Sequence, residues 1–347
     1  MKTKDFDIKV PPELIAQVPC EPRDSSRLLV IDRRAKKVWN AGFFRSLPDF
    51  LPEGDVLIYN NSRVIPARLE GHKESSPMER ITLLLLRKET TKNFPGWQVL
   101  VEAGALTVGE TVVLTPPQLK FKVVKIGEKI GKREECVVYG TFSDDSLLEK
   151  GGKPPVPPYI HGYTGDSEKY QTVYSLVKGS AACPTAGLHF TEELLTSLSR
   201  QGVILIPVTL HVGIDTFMPI QEEEVERHAI YTEYFEVAER VYTTVEEARK
   251  RGNKITCVGT TAVRVVETIF PKSESSPVYS GWTDKYIYPG YEFKVVDQLI
   301  TNFHYPKSSN LVLVSAFAGT ELIRKAYKEA VKSKYRFYSF GDACLIL

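Results

Sequence analysis

Hydrophobic and polar positions follow two different rhythms along this chain. Between about Val64 and Phe142 the apolar residues come in short runs, VIPARLEG, ERITLLLL, WQVLVEA, ETVVLTP, FKVVKIG and ECVVYGTF, broken by Gly, Pro, Asn and charged turns. Six strands of that length and spacing predict a small β-barrel. After the loop DDSLLEKGGKPPVPPYI the rhythm changes. Thr191 is placed to cap a helix with Glu192 and Glu193 in its first turn, Leu194, Leu195 and Leu198 on one face, and Gly202 as its stop. The run VILIPVTL that follows reads as a buried strand.

That unit recurs. TTVEEARKRGN predicts a helix ending near Gly252, KITCVG a strand, and TTAVRVVETIF a helix. A further strand, DQLITNF, leads through HYPKSSN into the apolar run LVLVSAFAG, and a last helix spans roughly Glu321 to Lys334. The polar, Ser-rich KSESSPVYSGWTD reads as a mobile surface loop. Strands alternating with helices define the α/β class. The expected architecture is an α/β domain of residues 1–63 and 151–347, helices packed on a sheet, interrupted by an inserted β-barrel domain of residues 64–150.

Composition adds limits. With 42% hydrophobic and 25% charged residues, the chain has enough apolar material for a sizeable core, which excludes disorder and coiled coil. Forty-five Lys and Arg against forty-three Asp and Glu give a net charge of +2, so any polyanion must be met by a local patch. The start MKTKDFDIKVPPE lacks the apolar core of a signal peptide, and no run approaches the ~20 residues that span a bilayer. A cytoplasmic protein, free of membrane, is expected. The five cysteines are scattered without C-x-x-C spacing, which signals neither a disulfide framework nor a zinc ribbon. No heptad seam is present, and a monomer is the default expectation.

Candidate chemistry gathers where predicted strands end. His189 in PTAGLHF, His211 in TLHVG and His304 in TNFHYPKSS all fall at such positions, where α/β sheets bind ligands. An imidazole there serves as general acid or base, hydrogen-bond partner or metal ligand. No H-x-H, H-E-x-x-H or H-x3-H spacing supports a metal, and none is expected. The string GTTAVR opens a helix after a strand, so its N–H groups and the Thr260 and Thr261 hydroxyls suit an anion, with Arg264 one turn in as a bidentate clamp. Gly187 permits close ligand approach in PTAGLHF, with Thr185 beside it, and Asn302 sits at a strand end. Asn60, Asn61 and Arg63 follow the strand DVLIY as further donors. Basic residues on the last helix (Lys325, Lys328, Lys332), Arg336 beyond it and Arg27 near the start are candidate phosphate contacts.

The strings LIAQVP, PRDSSRLLV, YNNSRVIPARL, PPYI, YQTVYS, PTAGLHFTEELL, TLHVG, GTTAVR, YPGYEFKVVD, LITNFHYPKSS and YRFYSFGDA together resemble the S-adenosylmethionine:tRNA ribosyltransferase-isomerase family of queuosine biosynthesis, from one end of the chain to the other. The resemblance implies transfer and isomerisation of the ribosyl group of S-adenosylmethionine onto 7-aminomethyl-7-deazaguanine at the tRNA wobble position. Epoxyqueuosine-tRNA, adenine and methionine are the products. S-adenosylmethionine is then a consumed substrate, no cofactor is implied, and the tRNA carrying the modified base is the partner. His189, His211 and His304 are implied for the proton transfers with their roles unassigned, the methionine carboxylate is expected at the GTT turn with Arg264, and the basic stretches are expected to hold the anticodon arm.

Departures from the family pattern cluster in the same strings. Asp215 stands where TLHVG-x-G-T-F has its second Gly, and Tyr231 replaces the second His of H-x-M-H-x-E while His228 and Glu233 are kept. Cys183 precedes PTAGLHF in place of Ala, Ala262 takes the fourth place of GTT-S/T-x-R, and Thr82 replaces a Glu in the barrel. Asp215 and Tyr231 define the alternative, a paralogue that binds tRNA or a nucleoside without this reaction.

Overall fold

The computed structural model describes residues 1–91, 94–115, 119–129, 135–144, 148–153, 155–161, 166–213, 219–270 and 279–347. Two compact units emerge: Met1–Arg63 with Pro157–Val177 and Cys183–Leu347, and Val64–Val156 with Lys178–Ala182. Arg27–Asp32 (β1), Lys37–Phe43 (β2), Val56–Asn60 (β3) and Ser62–Val64 (β4) come first.

The second unit is the barrel that the sequence predicts. Arg68–Lys73 (β5), Ser76–Thr91 (β6), Phe94–Glu102 (β7), Thr111–Leu114 (β8), Leu119–Lys129 (β9) and Glu135–Phe142 (β10) close in the order β10-β7-β6-β5-β8-β9. Every other residue points inward: Ile81, Leu83 and Leu85 on β6, Val99 and Val101 on β7, Leu119, Phe121 and Val123 on β9 form one buried cluster. This period of two is what a small filled barrel requires. Gly140 is needed beside it, because a Cβ there would lie 2.2 Å from Phe121 Cζ. A short helix, Leu148–Gly151 (α1), follows the barrel strands. Val177–Ser180 (β11) comes next, and within this unit Ile65 N–H donates to Ser180 O while Ala181 joins the barrel core.

The first unit is built on a nine-stranded mixed sheet. Its remaining elements are Glu192–Arg200 (α2), Ile204–Leu210 (β12), Glu233–Glu236 (β13), Arg240–Lys250 (α3), Ile255–Val258 (β14), Gly259–Ile269 (α4), Ser280–Thr283 (β15), Gln298–Asn302 (β16), Ser309–Ala318 (α5), Thr320–Lys332 (α6) and Ala343–Ile346 (β17). The strand order is β15-β13-β12-β3-β14-β16-β17-β1-β2, with β12, β3, β14 and β16 mutually parallel. β14 and β16 are buried at every residue, as parallel strands covered on both faces must be. Thr191 caps α2 as expected, its side chain accepting from Leu194 N–H at 3.1 Å.

One reading changes, and one run gains its element. The segment read as a loop ends in a strand: Ser280–Thr283 pairs antiparallel with β13 at the sheet edge, while residues 271–278 lie outside the described residues. Residues 311–318 of the apolar run LVLVSAFAG lie in α5, with Gly319 after its end, and the helix is capped by the Ser308 side chain, which accepts from Leu311 N–H at 3.2 Å. Cys20, Cys183, Cys257 and Cys344 are free thiols, and the Cys136 side chain is outside the described set. Among the described residues no helix is long and apolar enough to cross a membrane.

Candidate active site

β14 and β16 are adjacent and parallel, so their carboxyl ends lie side by side. β14 runs straight into α4, and β16 reaches α5 through residues 303–307, which brings two helix N-termini to one sheet edge. There a small cleft of about 50 Å³ opens. Its walls include Thr185 and Ala186, Val212, Gly259 to Thr261, Thr301 to Tyr305, Asn310, Tyr159, Tyr338 and Ser339. All belong to the first unit.

Of the three sequence-predicted histidines, His304 lines the cleft. Its Nε2 lies 2.7 Å from Thr301 Oγ1, and its backbone N–H donates to Tyr327 Oη at 2.6 Å. Burial holds its pKa down to about 3, so the imidazole is neutral at physiological pH. His189 stands behind the wall. Its Nε2 is 3.1 Å from Asn302 Nδ2 and its Nδ1 is 2.8 Å from Ser26 Oγ, while Asn302 Oδ1 accepts from Thr185 Oγ1 at 3.3 Å. An amide NH2 can only donate, so Nε2 accepts and the proton sits on Nδ1. Burial, with Arg336 and Arg23 adding positive charge, holds His189 down to about 3. His211 precedes the cleft-lining Val212, stacks on Tyr234 at 6.2 Å, and its buried Nδ1 has no partner among the described residues. Burial lowers its pKa too.

Thr260 and Thr261 take the expected place at the start of α4. Thr260 Oγ1 donates to Asn310 Oδ1 at 2.8 Å, whereas Thr261 Oγ1 is buried and has no partner among the described residues. Arg264 is committed elsewhere: its guanidinium pairs with Glu233 Oε2 and donates to Lys285 O at 2.9 Å and Thr283 O at 3.5 Å. Glu233 Oε1 accepts from Gly213 N–H at 2.6 Å, completing a buried network that leaves the guanidinium little freedom to clamp a ligand. Gly187 answers to packing, since a Cβ there would fall 2.0 Å from Tyr174 Oη.

Asn60, Asn61 and Arg63 lie away from the cleft and are occupied. Asn60 bridges to β12 through Leu210 O and N at 2.9 and 3.0 Å, Asn61 Oδ1 accepts from Thr209 Oγ1 at 2.7 Å, and Arg63 holds Ser175 Oγ and Glu168. Arg27 and Arg336 are likewise engaged: the Arg27 guanidinium lies 3.7 Å over the Tyr335 ring and donates to Ser333 O, and Arg336 donates to Cys20 Sγ and Val18 O. Lys325, Lys328 and Lys332 stand exposed on one face of α6, with Lys325 Nζ donating to Lys36 O.

The sequence reading passed over the tyrosines. Tyr159 stacks on Tyr305 with rings 13° apart, Tyr338 leans against both, and Tyr159 Oη is 2.8 Å from Ser339 Oγ. Burial raises the Tyr159 phenol to about 12. Tyr338 sits at φ +69, a left-handed conformation that costs energy in a bulky residue, and its carbonyl accepts from Asn302 Nδ2 at 3.2 Å. The strings PPYI and YRFYSFGDA hold two of these rings, but nothing local distinguishes a cleft tyrosine from a core one.

Of the departures, Asp215 lies outside the described residues. His228 Nδ1 is 2.9 Å from Glu222 Oε2, Thr82 is exposed opposite Glu70, and Cys183 is a buried cleft residue whose thiol burial pushes up. Among the described residues no three His, Cys, Asp or Glu side chains gather as metal ligands.

A parallel-strand cleft with a buried neutral histidine, a tyrosine wall and two helix N-termini, in a chain that also carries a closed barrel, is of the class of α/β enzymes for polar small molecules. The comparisons narrow this class. The model of the family described as "Queuosine biosynthesis protein" matches residues 3–346. The chain is 46% identical to the S-adenosylmethionine:tRNA ribosyltransferase-isomerase of Dehalococcoides mccartyi and 45% identical to that of Caldanaerobacter subterraneus subsp. tengcongensis, over the full length of both partners in each case. It is also similar to the crystal structure of S-adenosylmethionine tRNA ribosyltransferase from Thermotoga maritima, at 37% identity and a TM-score of 0.57, over 99% of this chain and all of that one. The chain belongs to the S-adenosylmethionine:tRNA ribosyltransferase-isomerase family of queuosine biosynthesis, and it is a transferase.

Proposed function

We propose that this enzyme transfers and isomerises the ribosyl group of S-adenosylmethionine onto 7-aminomethyl-7-deazaguanine at the wobble position of tRNA, releasing adenine and methionine and leaving epoxyqueuosine-tRNA. S-adenosylmethionine is a consumed substrate, and no metal or resident cofactor takes part. The observation that carries this reading is the cleft at the ends of β14 and β16, in a chain of this family. The reaction needs a proton removed from the ribose carbon beside the sulfonium, a donor to the departing adenine, and a neutral attacking amine. His304, neutral and in the wall, donates a hydrogen bond to the leaving base and adds no charge beside a sulfonium cation, and the proton that adenine gains balances the one taken from the ribose carbon. His211, with its unpartnered Nδ1 one residue from Val212, is the proton acceptor. His189 positions Asn302. The tyrosines supply flat surfaces for purine-like rings.

Incubation with S-adenosylmethionine and tRNA carrying 7-aminomethyl-7-deazaguanine, following free adenine and the mass of the digested nucleoside, tests this. Adenine matched by epoxyqueuosine is the expected result, with a loss of at least about 100-fold in His304→Ala and His211→Ala. Bound tRNA without adenine release would make the chain a binding paralogue, with Asp215 and Tyr231 as the changes to revert first.

A further inference from the structure

Beside the cleft lies a second, smaller pocket, bordered by Thr261, Arg264, Lys285, Tyr286 and Asn310. Thr260, Thr261 and Asn310 face both spaces and form the partition between them. Two hydroxyls of this lining, Thr261 Oγ1 and Tyr286 Oη, are buried and have no hydrogen-bond partner among the described residues. A buried hydroxyl without a partner is unfavourable, and two from separate segments facing one pocket mark a place that a bound water or a ligand's polar group completes. Thr261 is only 9% exposed, so bulk water does not satisfy it.

The surroundings favour negative charge. No side chain caps α4, so its first N–H groups keep their positive potential, and α5 begins at Ser309 and Asn310 on the same rim. Gly259 takes this turn at φ +81, a left-handed conformation that favours glycine. Lys285 adds a cation, while the charge of Arg264 is balanced by Glu233. Hydroxyl donors, helix N-termini and little uncompensated charge suit a singly charged carboxylate.

We infer that this second cavity is an oxyanion subsite that receives the α-carboxylate of the amino-acid tail of S-adenosylmethionine, held by the Thr261 and Tyr286 hydroxyls and the α4 N-terminus, while the nucleoside occupies the tyrosine-lined cleft. The inference rests on the ribosyl-transfer reading for the identity of the ligand. Arg264, expected from the sequence to clamp this carboxylate, instead holds the frame around it through Glu233 and two carbonyls.

The experiment is calorimetric binding of S-adenosylmethionine and of decarboxylated S-adenosylmethionine, which keeps the nucleoside, sulfonium and amine, to the full chain and to Thr261→Val and Tyr286→Phe. Both substitutions remove a hydroxyl at nearly constant shape, and circular dichroism confirms folding. The full chain is expected to prefer the carboxylate-bearing ligand, and each variant to lose about tenfold of that preference. Absence of a preference in the full chain, or equal weakening of both ligands in the variants, would overturn the subsite. Weakened tRNA binding with the preference intact would assign the orphan hydroxyls to a tRNA phosphate and overturn the carboxylate. If the preference behaves as expected but no adenine is released on turnover, the subsite stands and the ribosyl-transfer reading fails.

Discussion

His189 shows how a residue chosen for its chemistry serves geometry. It is 3% exposed, donates through Nδ1 to Ser26, and accepts from the Asn302 amide whose oxygen is turned toward Thr185. Protonating Nε2 would set two donors against each other in a buried space, in line with a pKa held near 3 against an ordinary 6.5. The consequence for stability has a definite sign. Between those two values the unfolded chain binds a proton that the native chain refuses, so stability is complete above about pH 6.5 and declines as pH falls toward 3. By pH 5 this one group removes about 2 kcal/mol. Urea unfolding at pH 7 and pH 5 should therefore show a smaller acid loss in His189→Gln than in the parent chain. Identical losses would mean that His189 protonates while folded.

At the scale of elements, the buried pair Arg264–Glu233 joins α4 to β13 and, through Gly213 N–H, to the segment leaving β12 that carries His211 and Val212. Removing one partner strands a buried charge, so Glu233→Ala should cost about 3–5 kcal/mol in urea unfolding, and Glu233→Leu with Arg264→Met should recover much of it. A cost below about 1 kcal/mol would show that water reaches the guanidinium. None of this network is legible in the sequence, where helical spacing offers Arg264 Glu267 at i+3. Glu267 instead accepts from Tyr291 Oη and the N–H groups of Lys294, Val295 and Val296. What local pattern did reveal was whatever local physics decides: the six barrel strands from their turns, α2 from its cap, and α4 from the strand-to-glycine junction at Gly259. β15 was hidden because its four residues SGWT are polar and mostly exposed, and only pairing with β13 makes them a strand. In the cleft, His304, Asn302 and Thr261 were legible from their strand ends. Tyr159 and Tyr338 were not, since segments 179 residues apart meet there only through the tertiary fold.

Over the whole molecule, a net charge of +2 gives too weak a general field to capture a polyanion, so affinity for tRNA has to come from a few placed cations. The structure narrows the candidates. Arg27 and Arg336 spend their guanidinium groups on backbone carbonyls, an aromatic face and a thiol, which leaves the exposed stripe of Lys325, Lys328 and Lys332 at i, i+3 and i+7 along α6. Arg324 on the same helix is tied to Glu321 and to Asp5 O. If α6 meets the phosphate backbone, each lysine releases about one condensed counterion, and the dependence of affinity on salt counts them. Replacing Lys328 and Lys332 together by Gln should weaken tRNA binding and reduce the slope of log K against log salt concentration by roughly 1.5, because about 0.7–0.9 is lost for each phosphate contact removed. Binding of free S-adenosylmethionine is the control, since neither lysine borders the cleft or its neighbouring cavity. An unchanged salt slope with unchanged tRNA affinity would exclude this face of α6 and send the search for the phosphate contacts to the other basic segments of the chain.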